Sequence, residues 1–321
     1  MENEMNEIER YIKMFVAQKR ASGYPYNTSQ RLLHNFANMI KAQYPDSHTV
    51  TSDMIESWIN LKKNENPNGL LRRISPIRQF TKYLIGIGVP AFIVPDHIPE
   101  RRIKYEAHIY TKEELIAFFK AIDSVRYSDL APTRSFVIPV IFRYYYCCGL
   151  RSSEARLLTV NDVDLQTGKI MIRESKGWHS RIIYMSDDLL RISREYDGIM
   201  QELCPDRIPF FPNKEGAFYA KGIQDIWFHE FWDRYHVNDD IPGNSPRVHD
   251  FRHIYAVDRL NKWVRSGENV EALYPSFSQY MGHVKFADTD YYLHLSESFY
   301  PEMEQKMSSM NEDILPEVTY E

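Results

Sequence analysis

What this chain lacks narrows the field first. Cysteine occurs only at Cys147, Cys148 and Cys204 in 321 residues, too few for a disulfide framework, and the adjacent pair sits in an aromatic segment, where reduced buried thiols are the expectation. No apolar run approaches the roughly 20 residues that a membrane span needs. The start is not basic either. Glu2, Glu4, Glu7 and Glu9 occupy Met1–Arg10, the opposite of a secretory signal, so the expectation is a cytoplasmic protein without a membrane partner. There is no Gly-Lys-Ser/Thr phosphate loop, and nothing points to ATP. Gly86-Ile87-Gly88-Val89-Pro90-Ala91 superficially matches a dinucleotide fingerprint. It ends a helical pattern instead of following a strand, and Pro90 blocks the helix start, so it is discounted. Internal repeats and low-complexity stretches are also missing.

What is present is globular: 43% hydrophobic and 26% charged residues in 321, a length that accommodates two domains. The net charge of -5 argues by itself against a nucleic-acid partner. The distribution argues otherwise. Residues 1–108 hold 15 Lys and Arg against 11 acids, whereas 301–321 hold Lys306 against six acids. Phosphate binding depends on a local basic face, so this asymmetry outweighs the total.

Residues 1–100 read as a four-helix unit. Ile8, Ile12, Phe15 and Val16 mark the first helix, which ends near Gly23 and Pro25. Asn27, Thr28 and Ser29 are caps for a second through Leu33, Phe36 and Ile40. Thr51 and Ser52 precede a short third. A fourth begins between Gly69 and Ser75, with Pro76 either in its first turn or at a kink. Arg31, Lys62, Lys63, Arg72, Arg73, Arg78 and Lys82 punctuate these helices. Singly each reads as solvated surface; as a set, followed by Arg101 and Arg102, they fit a face that clamps duplex phosphates. Val89 to His108 is rich in proline and charge and lacks periodicity, which predicts an interdomain linker, placed at 101–109.

Thr111 opens the next helix, with Glu113 and Glu114 in its first turn. Another follows Pro132. Val160–Leu165, Lys169–Arg173 and Arg181–Met185, separated by turn residues, predict a small antiparallel sheet. Helices are expected from Asp187 and over 223–232, 249–264, 277–281 and 288–293. The fold class is therefore mainly α with a small antiparallel sheet.

The densest group of ionisable side chains lies between His249 and His294. Arg252 and His253 follow His249 by three and four residues, which puts all three on one helical face. Arginine suits a phosphodiester, because its guanidinium fork makes paired charge-assisted bonds that strengthen as charge builds in a pentavalent transition state. Arg151, after Gly149 and Leu150, is the natural second arginine, and Glu154 one turn on is placed to orient it. Lys176, on the turn between two strands, offers an ammonium to protonate a leaving oxygen. His249-x-x-x-His253 is half of a zinc helix, yet Asp250 stands where the glutamate belongs and Arg252 would put a cation beside the ion, so neither metal nor cofactor is expected.

Cys148-Gly149-Leu150-Arg151-Ser152-Ser153-Glu154, His249-Asp250-Phe251-Arg252-His253, and Met281-Gly282-His283 followed by Tyr292 resemble the three signature boxes of the tyrosine recombinase (phage integrase) family. The resemblance covers about residues 110–300. It implies a helical DNA core-binding domain of the SAM-like kind over 1–100, a catalytic domain over 110–300 and an acidic tail over 301–321. It also implies a catalytic set of Arg151, Lys176, His249, Arg252, His283 and Tyr292, supported by Glu154 and His253. Tyr292 is preferred to Tyr291 because it lies nine residues after His283. The implied activity is site-specific cutting and rejoining of double-stranded DNA through a 3'-phosphotyrosyl link, by four protomers on paired sites. A mobile-element integrase or simple recombinase fits best. A type IB topoisomerase and a non-catalytic DNA-binding accessory protein of the same fold are the alternatives.

Overall fold

Apolar residues at three- and four-residue spacing fold the front of the chain into helices. In the computed structural model, which describes residues 7–60, 62, 65–99, 105, 107–173, 180–236, 245–283 and 289, these are α1 (Glu7–Ala21), α2 (Asn27–Gln43), α3 (Ser52–Asn60) and α4 (Pro67–Gly86). Ile12 and Phe15 of α1, Leu33, Phe36 and Ile40 of α2, Trp58 of α3 and Ile77, Phe80 and Leu84 of α4 share one buried core. Two helix starts depart from expectation. No side chain caps α2; Tyr26 holds the cap position with a left-handed backbone, φ 56°, and its ring meets Phe15 at 5.6 Å. α4 begins earlier, at Pro67, where Asn66 accepts from the Asn68 N–H at 2.8 Å. Proline at the first helical position is favourable because its missing N–H has no helical partner there. Pro76 consequently lies inside the helix.

Residues 89–99, expected to be linker, fold back on this unit. The Phe92 N–H donates to the Val50 carbonyl at 2.8 Å, Val94 is buried, and the Arg78 guanidinium donates to the carbonyls of Pro95 (2.7 Å) and Ile98 (2.9 Å). By contacts the chain divides into two compact units, Met1–Tyr105 and Glu106–Glu321.

The second unit opens with α5 (Lys112–Asp123), capped by Thr111 as expected, and Glu114 completes a reciprocal capping box that was not expected. The Glu114 N–H donates to the Thr111 hydroxyl, and the Thr111 N–H donates back to the Glu114 carboxylate. α6 (Arg134–Cys148) is apolar nearly all round and buries Val137, Ile138, Ile141, Phe142, Tyr144 and Tyr145, which makes it the central helix. α7 (Ser152–Arg156) follows, then β1 (Val163–Asp164), β2 (Lys169–Ile172) and β3 (Arg181–Tyr184), an antiparallel meander in the order β1-β2-β3. Ile170 and Ile172 of β2 and Ile183 of β3 face inward. α8 (Asp187–Leu203), α9 (Ile223–His236), α10 (Asp250–Arg265) and α11 (Val270–Met281) complete the described elements. Phe251 at the start of α10 stacks on Tyr110 at 4.9 Å and meets Phe118 and Phe228, which seats the α10 N-terminus in the core.

The mainly helical class with one small antiparallel sheet stands as expected. α11 is longer than predicted: it starts after Asn269, whose side chain accepts from the Ala272 N–H at 3.1 Å, and runs through Pro275. The hairpin tip with Lys176, the helix expected over 288–293 apart from Thr289, and the acidic tail lie outside the described residues. Among the described residues no helix is long and apolar enough to cross a membrane.

Candidate active site

The site is built where three chain turns meet, and a glycine makes two of them. Gly149 closes α6 with φ 62°, and a Cβ there would sit 2.5 Å from Cδ1 of Tyr255. Glycine is required on both counts, conformation and space. The chain then presents Arg151 at the cap of α7. Its Nη1 donates to Glu154 Oε1 at 2.7 Å and its Nη2 to the Gly282 carbonyl at 2.7 Å. Glu154 in turn accepts the Arg151 backbone N–H at 2.9 Å.

Gly282 closes α11 with φ 65°, and a Cβ there would meet Nη1 of Arg181 at 2.7 Å and Nη1 of Arg151 at 3.2 Å. Its bareness lets two guanidiniums approach the helix end. His283 follows, with its N–H bonded to the Ser278 carbonyl at 3.0 Å. The imidazole Nδ1 lies 2.6 Å from the Thr289 hydroxyl, which itself donates to Ser278 Oγ at 3.0 Å. That hydroxyl proton is committed, so Nδ1 carries the ring proton and Nε2 is the acceptor, 3.0 Å from Nη2 of Arg252.

Arg252 rises from the first turn of α10. It is 1% exposed, donates from Nη1 to the Gly149 carbonyl at 2.6 Å and from Nη2 to the Met281 carbonyl. His249 sits at the cap of the same helix. Buried Asp250 fixes that cap by accepting the Arg247 N–H at 2.9 Å, and the Tyr110 hydroxyl donates to the Arg247 carbonyl at 3.0 Å. His253 stands behind His249, ring edge to ring face at 5.1 Å.

Of the predicted catalytic set, Arg151, His249, Arg252 and His283 converge, with Glu154 and His253 beside them. Lys176 and Tyr292 lie outside the described residues. The residue that sequence reasoning missed is Arg181. It starts β3 on the same face as Ile183, 8% exposed, and grips both Glu154 oxygens at 2.9 Å. Period-two alternation places a charged side chain on the core face there, and that was the available signal. Thr289 and Ser278, which orient His283, carried no comparable mark.

Electrostatics follow from burial and charge. Burial alone would push the Glu154 carboxyl up, but hydrogen bonds and charge from Arg181, then from Arg151, hold it at about 2. Burial lowers His249 to about 4, helped by the charges of Arg252, Arg247 and Arg151. The same forces put His253 and His283 at about 3. At neutral pH the imidazoles are therefore uncharged, and Arg151 and Arg181 share the buried Glu154 carboxylate, while the other buried carboxylate here, Asp250, is held by Arg247 and leaves the guanidiniums of Arg151, Arg181, Arg247 and Arg252 in excess. The surplus is positive and suits an anion.

Among the predicted duplex contacts, Arg31, Lys62, Arg72 and Lys82 are exposed, and Lys63, Arg101 and Arg102 lie outside the described residues. Two are placed differently from these. Arg73 is 4% exposed; it donates to Glu65 at 2.8 Å and to the Ile59 carbonyl at 3.1 Å, and its guanidinium lies over the Trp58 ring. Arg78 holds the carbonyls of residues 94–98. Both cross-link their own unit, Arg73 from a buried position and Arg78 from a partly buried one. Sequence spacing could not separate them from exposed Arg72.

Residues 110–298 match the model of the phage integrase family. Over 315 residues the chain is 25% identical to y4rB of Sinorhizobium fredii, an integrase/recombinase by name, covering 96% of this chain and 99% of that one. Its fold is similar to that of the XerH site-specific recombinase bound to palindromic difH substrate in a post-cleavage complex, with a TM-score of 0.61, 16% identity, and 89% of this chain and 79% of that one covered. It is also similar to the lambda integrase tetramer bound to a Holliday junction, with a TM-score of 0.58, 15% identity, and coverage of 89% and 76%. Fold and family match together define a recombinase that cleaves and rejoins DNA. The chain belongs to the phage integrase family.

Proposed function

We propose that this recombinase acts in the cytoplasm on specific sites in double-stranded DNA, with Tyr292 as its nucleophile. The observation that supports the reading most is the convergence of Arg151, Arg252, His283 and His249. They come from three separate chain turns and are joined by bonds such as Arg151 to Gly282 and Arg252 to Gly149. Such a cluster of guanidiniums and neutral imidazoles suits a phosphodiester whose charge grows in the transition state.

Making a phenolate at neutral pH costs on the order of 4 kcal/mol for an unperturbed tyrosine. His249 takes the phenol proton as the Tyr292 oxygen attacks phosphorus. Its low proton affinity, near 4, comes first from burial and then from the charges of Arg252, Arg247 and Arg151; a phosphodiester held by Arg151 and Arg252 offsets that charge and moves the affinity part of the way back up. The new tyrosyl O–P bond replaces the P–O5' bond, and Lys176 supplies the proton to the departing 5'-oxygen. The 3'-phosphotyrosyl link keeps the bond energy, so a 5'-hydroxyl of the partner duplex reverses the step without ATP. Arg31, Lys62, Arg72 and Lys82 are the backbone contacts of the helical unit. Four protomers act on two duplexes, in line with the tetrameric state named for lambda integrase.

The test begins by selecting duplexes from a random pool with the Tyr292→Phe protein and nicking them so that the cleaved end escapes. The wild-type chain is expected to form an adduct that survives detergent, and Tyr292→Phe to form none. No adduct with any selected duplex would sink the proposal. Relaxation of supercoiled plasmid without site preference would assign the protein to topoisomerase chemistry instead.

A further inference from the structure

Arg181 is the one buried guanidinium of the cluster that the proposed chemistry does not use. Its Nη1 and Nη2 donate to the two Glu154 oxygens, both at 2.9 Å, and its Nε donates to the Tyr280 carbonyl at 2.6 Å. It therefore joins the sheet to α7 and to the last turn of α11. The Arg151 guanidinium bonds the same carboxylate through one nitrogen, Nη1 to Oε1 at 2.7 Å, while the Arg151 backbone N–H donates to Oε2 at 2.9 Å. A carboxylate flanked by a single arginine prefers the paired, fork-to-fork arrangement. With Arg181 already in that arrangement, the Arg151 guanidinium is kept to one bond, and its Nη2 is left to reach across to Gly282.

We propose that Arg181 is a positioning residue for the phosphate grip: by occupying both oxygens of Glu154 and the Tyr280 carbonyl, it aims Arg151 and holds the His283 turn beside it. The inference rests on the reading that Arg151 holds the scissile phosphate. It differs from a general structural role because its loss acts through Arg151. It differs also from a role in placing the acid, although Arg181 follows Lys176 by five residues.

Single-turnover cleavage of the selected duplex by the full chain separates these. Arg181→Lys keeps the charge but cannot bond both oxygens; it is expected to cleave about 10- to 100-fold more slowly, as loss of an orienting partner does, while duplex affinity changes by less than about threefold. In an Arg151→Ala background the same change is expected to slow cleavage by less than about threefold, because coupled residues are not additive. A duplex with a 5'-bridging phosphorothiolate, whose sulfur leaves without an acid, is expected not to restore the rate. Should Arg181→Lys fail to fold, the neutral pair Arg181→Met with Glu154→Leu fills the same space without charge and is expected to show the same slow cleavage.

Wild-type cleavage by Arg181→Lys or by the neutral pair, multiplicative losses in the double variant, or rescue by the phosphorothiolate each overturns the inference while leaving the recombinase reading intact. A wild-type chain that forms no adduct overturns both.

Discussion

Protonation of His249, His253 and His283 is opposed first by burial and then by neighbouring guanidiniums, which holds them at about 4, 3 and 3 from an ordinary 6.5. In that window the unfolded chain binds more protons than the folded one, so stability is full above about pH 6.5 and is lost as the pH falls toward 4. Glu154, held at about 2 from 4.5, adds stability that is lost only below about pH 4.5. The thermal midpoint should therefore fall steadily between pH 7 and pH 4, before most carboxylates titrate. A flat midpoint over that range would refute the electrostatic description of the cluster. Glu154→Ala strands Arg181 in the interior and is expected to cost about 3–5 kcal/mol, read from the denaturant midpoint.

At the scale of elements, the two glycine stops behave differently because of what faces them. At Gly149 the obstacle is the Tyr255 ring, while at Gly282 it is the ends of two arginine side chains. Both Ala substitutions meet the left-handed backbone cost of about 1–2 kcal/mol. Gly149→Ala must also displace a packed ring, so its denaturant midpoint should fall further than that of Gly282→Ala. Gly282→Ala should instead lose more cleavage rate, since it pushes Arg151 and Arg181 aside. Equal stability losses would show that Tyr255 yields freely. Element starts were legible where a side-chain cap announced them, as at Thr111, and illegible where a proline broke the apolar rhythm. Pro76 and Pro275 both lie inside helices; the pattern of α11 is read only from Phe277, after Pro275, and the start of α4 is expected between Gly69 and Ser75, just ahead of Pro76 and later than the observed Pro67.

For the whole molecule, the net charge of -5 hides a helical unit whose exposed cations are Arg31, Lys62, Arg72 and Lys82 among the candidates described. If these meet the duplex backbone, Arg72→Ala and Lys82→Ala should each weaken binding across sequences and lower the salt slope by about 1. Arg73→Ala, one position away, should lower the unfolding midpoint because it leaves Glu65 and the Trp58 and Ile59 carbonyls without their donor. An unchanged salt slope in Arg72→Ala would remove α4 from the interface.

By itself the sequence determined the helical and strand elements, the glycine stops and the candidates Arg151, His249, Arg252 and His283, because each depends on neighbours within a turn or a short box. Only the tertiary structure decided which arginines face inward, which His283 nitrogen accepts, and that Arg181 completes the cluster. Those outcomes rest on bonds between residues far apart in the chain, 131 positions for Arg151 to Gly282, 103 for Arg252 to Gly149 and 99 for Arg181 to Tyr280. No local periodicity encodes such pairings; they exist only once the core around α6 has packed α10, α11 and the sheet together.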